Sequence, residues 1–118
     1  METTPVINLT KFKTTGELAA FGVCDLSSWR EFKEVRQLLF FALLPNKDTV
    51  RMRVARLVDI ACSEARKTGA STVLVGCPPW MMYPLCAELV LHRLTPLVCF
   101  TKITSDGCLA VIDLVMAA

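Results

Sequence analysis

Glycine and histidine are scarce in this chain, and the cysteine spacings that hold metals are missing. Its 118 residues include five glycines and a single histidine, His92. There is no Gly-x-Gly-x-x-Gly, no Walker loop and no Gly-x-Ser-x-Gly. A dinucleotide fingerprint, a P-loop and a nucleophile elbow are therefore excluded. Six cysteines are present, Cys24, Cys62, Cys77, Cys86, Cys99 and Cys108, and none forms a Cys-x-x-Cys pair. That spacing argues against a structural zinc site. Carboxylates do not pair and ligand-type residues do not cluster, so neither a metal nor a cofactor is expected. No run approaches the length of uncharged apolar sequence that a bilayer requires, so no membrane partner is expected. Met1 to Pro5 carries neither a basic segment nor an apolar stretch, so no secretory signal is expected either. The net charge of +2 is too small to imply nucleic-acid binding through bulk charge.

What is present points to one globular domain over residues 1–118. Hydrophobic residues make up 53% and charged residues 20%, which excludes intrinsic disorder and leaves apolar surplus for a subunit interface. Cys62, Cys86, Cys99 and Cys108 sit in apolar runs and read as small core hydrophobes in a reducing cytoplasm.

The pattern along the chain alternates strand and helix. Val6 to Leu9 is a short strand, 10–16 a polar turn, and Phe21 to Leu26 an extended piece. Ser28 and Glu31 form a capping box ahead of Phe32, Val35, Leu39 and Ala42, so a helix is expected from Trp29 to Leu43, stopped by Pro45. Asn46 or Asp48 caps a second helix with an apolar stripe of Val50, Val54, Leu57, Val58, Ala61 and Ala65, ending at Gly69. Thr72 to Val75 is β-branched and does not alternate, as in a strand buried on both faces. A third helix places Met82, Leu85, Cys86, Leu89 and Val90 inward. Pro84 should lie in its first turn, which sets its start between Met81 and Tyr83 and leaves Gly76 to Trp80 as a stiff loop. Leu97 to Ile103 and Leu109 to Val115 flank Asp106-Gly107, a hairpin signal. The expected fold is α/β: a small three-layer Rossmann-like sandwich with a mostly parallel sheet of four to five strands and a C-terminal antiparallel hairpin.

In such sheets ligands bind beyond the carboxyl ends of the strands. The residues expected there are Asn8, Thr10 and Lys11 after the first strand, Gly76, Cys77, Pro78 and Trp80 after the next, and Thr101 and Lys102 after the third. Amides, hydroxyls, ammonium groups, a flat aromatic and a helix N-terminus suit a small anionic ligand carrying a ring, such as a nucleotide. The competing reading is that Trp80 and Tyr83 only cover the sheet edge and the lysines are solvated. Cys77 near a helix N-terminus invites a nucleophile reading, against which stands the absence of a general base near it. Arg51, Arg53 and Arg56 either bind phosphate or form a solvated face paired Asp48 to Arg51 and Arg56 to Asp59. Asp25 either caps a loop or faces the site. No catalytic residue can be assigned.

The succession Ile7-Asn8-Leu9-Thr10, Phe21-Gly22-Val23-Cys24-Asp25-Leu26, Leu44-Pro45, Val75-Gly76-Cys77-Pro78-Pro79-Trp80-Met81-Met82 and Thr95-Pro96-Leu97-Val98-Cys99-Phe100-Thr101-Lys102 resembles small prokaryotic proteins. These look like compact relatives of the CRISPR-associated Rossmann-fold group that senses, and in some members cleaves, cyclic oligoadenylates. The resemblance implies a nucleotide or cyclic-oligonucleotide site lined by Asn8, Thr10, Gly76, Cys77, Thr101 and Lys102 across a homodimer two-fold. It also implies a link to prokaryotic defence and, for a ring nuclease, metal-independent attack of a ribose 2′-hydroxyl on its phosphate, with lysine stabilising the charge. The alternative is a non-catalytic interaction protein of a mobile element or defence island, acting through an oligomer surface.

Overall fold

A computed structural model describes residues 4–117. Met1 to Thr3, within the segment read for a secretory signal, lie outside these residues. The elements are β1 (Val6–Leu9), α1 (Gly16–Ala19), β2 (Val23–Cys24), α2 (Trp29–Leu38), α3 (Lys47–Thr68), β3 (Thr72–Val75), α4 (Pro79–Leu91), β4 (Thr95–Ile103) and β5 (Leu109–Met116). The five strands form one sheet in the order β2-β1-β3-β4-β5. The first four run parallel, and β5 is antiparallel to β4. This is the α/β architecture the sequence predicts, with its C-terminal hairpin.

The two faces of the sheet are unequal. Ile7 and Leu9 of β1 and Val73 and Val75 of β3 face α2, α3 and α4, and this side holds most of the core. Residues of opposite parity, Val6 and Leu74, join Val23 in a smaller cluster against Leu18 of α1, with Leu97, Cys99 and Leu114 at its edge. The third layer is thus one turn of helix. Strand alternation forces the division, because successive side chains leave the pleat on opposite faces.

Local chemistry explains the element boundaries. Ser28 caps α2 by accepting from Glu31 N–H, as its spacing predicts. The helix ends at Leu38 rather than Leu43. The Arg53 guanidinium of α3 donates to the carbonyls of Gln37, Leu38 and Phe40, taking the place of further helical turns. Ala42, Leu43 and Leu44 are consequently exposed. Asn46, not Asp48, caps α3 through Thr49 N–H. Gly69 closes that helix in the left-handed region (φ 76°), where glycine avoids the Cβ clash.

Four expectations fail here. The polar turn expected over 10–16 gives way at Gly16 to α1 (Gly16–Ala19), capped by Thr15, where no helix was expected. The extended piece at 21–26 pairs only over Val23–Cys24. Helix α4 begins at Pro79, so Pro84 lies in its second turn and Trp80 is helical. Pro79 supplies the favoured N1 proline, and Pro84 is carried inside the helix without an amide to donate to Trp80. Val90, expected inward, is 48% exposed, because α4 has the sheet on one side only.

Candidate functional site

The chain leaves β1 toward β2 and leaves β3 toward β4, although β1 and β3 are neighbours. The crevice beyond their carboxyl ends is therefore the topological switch point. Asn8 sits at its base, 1% exposed. Its amide nitrogen donates to the Phe12 carbonyl (2.8 Å), Asp25 Oδ1 (3.1 Å) and Thr14 Oγ1 (3.3 Å). Its carbonyl oxygen accepts from Thr10 N–H (3.1 Å) and the Thr10 hydroxyl (2.7 Å). Asn8 and Thr10 thus spend their polar groups shaping the loop after β1. Asp25 completes that loop by accepting from the Thr14 N–H and hydroxyl, both at 2.8 Å. Burial opposes its ionisation, but the bonds from Thr14 and Asn8 and the charge of Lys13 outweigh it and hold the carboxyl below its usual value. Asp25 is a loop cap.

The loop after β3 meets this one at Gly76. A Cβ there would lie 3.2 Å from Thr10 Cγ2, so only glycine fits without moving Thr10. Lys11, Leu39, Gly76, Cys77 and Pro78 line a cleft of about 270 Å³ at this junction. A second cleft of about 380 Å³ lies beside it, lined by Lys11, Lys33, Arg36, Gln37 and Phe40. Lys11 belongs to both. Lys33, Arg36, Gln37 and Phe40 come from α2 and the residues just after it.

The electrostatics of this corner are one-sided. The α2 carboxylates point elsewhere: Glu34 binds Arg56 at 2.6 and 2.8 Å, and Glu31 pairs with Lys67 at 3.7 Å. No carboxylate lines either cleft, and among the described residues no ion pair holds Lys11, Lys33 or Arg36. Aromatic rings interleave with the cations. Lys11 lies over Phe12 (5.3 Å), and Lys13 and Lys33 lie over Trp29 (4.6 and 6.0 Å). Phe12, Trp29 and Phe40 are all more than half exposed. The corner can take phosphate oxygens on its cations and a base on an aromatic face.

The other sequence-predicted site residues lie elsewhere or in a different state. Thr101 and Lys102 do not reach the switch point. β4 pairs with β3 only over Thr95–Leu97 and then runs on as a projecting hairpin, so Lys102 stands about 13 Å past the level where β3 ends. Trp80 packs edge-to-face on Phe41 (centroids 5.6 Å apart) and lines a groove between α3 and α4. Pro78 and Pro79 at the head of α4 carry no amide hydrogens, so this helix start offers few N–H donors to an anion. Burial, with a smaller push from Cys86, raises the Cys77 thiol to about 11, which removes the activated-nucleophile reading. Arg53 caps α2 and lies 4.2 Å from the Phe41 ring centre. Arg56 pairs across helices with Glu34 instead of Asp59, and the Asp48–Arg51 ion pair does not form.

Sequence reading missed Lys33, Arg36 and Phe40. Their signal was available: Trp29, Lys33, Arg36 and Phe40 recur at i, i+4, i+7 and i+11, one face of a helix. Comparison with protein-family models, with curated proteins and with solved structures finds no match to this chain. Among the described residues no group of three metal-ligating side chains converges, and no helix is long and apolar enough to cross a membrane.

Proposed function

We propose that this domain binds a nucleotide, or a short cyclic or linear oligonucleotide, in the paired clefts around Lys11. One observation carries the reading: Lys11, Lys33 and Arg36 converge, without a carboxylate partner, beside the exposed ring of Phe40. Lys11, Lys33 and Arg36 neutralise phosphates, and Phe40 stacks on a base. Gly76 lets the loops close, and Asn8 holds Lys11 in place. The family resemblance extends the reading to cyclic oligoadenylates and prokaryotic defence. In a ring nuclease of this design the 2′-hydroxyl, losing its proton to water, would attack the neighbouring phosphate as the P–O5′ bond breaks and the 5′ oxygen takes up a proton, leaving a 2′,3′-cyclic phosphate, with Lys11 stabilising the charge that develops on the phosphate oxygens and no metal required.

Thermal unfolding against mononucleotides, cyclic di-, tri-, tetra- and hexanucleotides and dinucleotide cofactors tests this directly. A ligand that stabilises with rising concentration is expected. Lys33→Ala and Arg36→Ala should each weaken it by about tenfold or more, the worth of one charge-assisted hydrogen bond. No shift across the panel, or unchanged affinity in both variants, refutes the site. The alternative reading, a non-catalytic interaction protein, draws on the apolar outer face of α4.

A further inference from the structure

Helix α4 has the composition of a helix buried on all sides. Of its 13 residues, Pro79–Leu91, only Glu88 is charged. A helix apolar around its whole circumference is normally packed around its whole circumference. Here Met81, Leu85, Cys86 and Leu89 face the sheet and α3, and the opposite side is bare. Tyr83 is 83% exposed, Leu91 74% and Trp80 50%. With Ala87, Tyr83 and Leu91 form a ridge one residue wide, at i, i+4 and i+8 from Tyr83.

A groove lies on each side of the ridge. One, of about 770 Å³, runs between α3 and α4, lined by Val50, Val54, Trp80, Pro84 and Ala87, with Arg51 and Glu88 among its polar groups. The other, of about 700 Å³, runs between α4 and the end of β5, lined by Met82, Cys86, Val90 and Ala117. Ridge and groove therefore occur on one surface, at the spacing of one helix. Self-complementarity of that kind is what an isologous two-fold contact requires.

We infer that this face receives a second copy of the chain, with α4 crossing its symmetry mate near Ala87. The small side chain there lets the helices approach, and the Tyr83–Leu91 ridge of each copy enters a groove of the other. The four exposed hydrophobics of α4, Trp80, Tyr83, Val90 and Leu91, present on the order of 500 Å², the larger part of the ~800 Å² that each partner contributes to a standard interface. Arg51 and Glu88 rim the same groove, and among the described residues neither is in an ion pair, so each has its charge free for the opposing copy. The crossing point at Ala87 lies nine residues, about 14 Å, along α4 from Pro78, where the Lys11 cleft meets the helix. The inference does not rest on the nucleotide reading.

Sedimentation or light scattering of the whole chain at micromolar concentration tests it. The expected mass is twice 13.1 kDa, and both Ala87→Arg and Tyr83→Lys should return it to 13.1 kDa. Tyr83 is so exposed that its replacement leaves the monomer fold intact, and circular dichroism with thermal unfolding confirms this for each variant. Leu44→Glu, on the exposed α2–α3 connection, and Leu109→Lys, on the edge strand β5, should remain dimeric. A monomeric wild type overturns the inference. So does a dimer that survives both α4 substitutions, or one lost only in Leu44→Glu or Leu109→Lys.

Discussion

Replacing Asn8 by leucine, of similar size, is the sharpest test of how the switch-point corner is built. Leucine keeps the side chain's burial and removes its five hydrogen bonds. The consequences differ by partner. Asp25 Oδ1 retains its two bonds from Thr14, and the Phe12 carbonyl retains the Thr10 hydroxyl at 3.2 Å. The Thr10 N–H loses its acceptor in a half-buried loop, a loss worth about 1–3 kcal/mol. The bonds to Phe12 and Asp25 add roughly 1 kcal/mol between them once their solvent access is allowed for. The total is about 2–4 kcal/mol, or a fall in Tm on the order of 10 °C for a domain of this length. Urea unfolding should show a lower midpoint with an unchanged slope, because the surface exposed on unfolding is nearly the same. The loop that carries Lys11 should also loosen, so hydrogen exchange at Lys11 to Thr14 should rise well beyond the rest of the chain. A loss below about 1 kcal/mol, or unchanged exchange in this loop, would refute Asn8 as the organiser.

Other perturbations test separate parts of the account. Asp25 has a folded pKa below its unfolded value of 3.8, so its stabilisation is present above that value and lost as pH falls through the folded one. The Tm gap between wild type and Asp25→Asn should therefore hold steady at neutral pH and narrow in acid below about pH 4; a gap constant throughout contradicts the hydrogen-bonded carboxylate. Pro84→Ala restores an amide for the Trp80 carbonyl and should stabilise the domain by about 1–2 kcal/mol in denaturant unfolding, whereas a loss of stability would mean the proline ring matters more as packing. Cys77, with about a hundredfold less thiolate than an ordinary thiol, should be alkylated by iodoacetamide after the exposed Cys24 and Cys108. Mass spectrometry showing Cys77 modified first would restore it as a reactive group.

Much of the fold was legible because local chemistry decided it. Ser28 and Gly69 marked helix ends through interactions within four residues of themselves. The β-branched run at 72–75 and Asp106-Gly107 declared a buried strand and a hairpin in the same way. The end of α2 was not legible, because Arg53, sixteen residues beyond Gln37, supplies the donors that terminate it. Nor was α1, whose Leu18 gains its partners only when Val6, Val23 and Leu74 present one face of the sheet.

The site divides along the same line. The sequence by itself determined the ends of β1 and β3, and with them that Asn8, Thr10, Lys11 and Gly76 lie at or just past strand carboxyl ends; only the sheet order made the gap between those two strands the switch point. Those ends follow from short windows of consecutive residues, for β3 a β-branched apolar run bounded by Gly76. Only the tertiary structure decided what those residues do. It turned Asn8, Thr10 and Asp25 inward on one another, buried the Cys77 thiol, and carried Thr101 and Lys102 away on a hairpin that outruns its neighbour. It also laid the Lys33, Arg36 and Phe40 stripe of α2 beside Lys11 and left one side of α4 uncovered. Those outcomes depend on which strands pair and how far, a balance of long-range contacts that no short window of sequence contains.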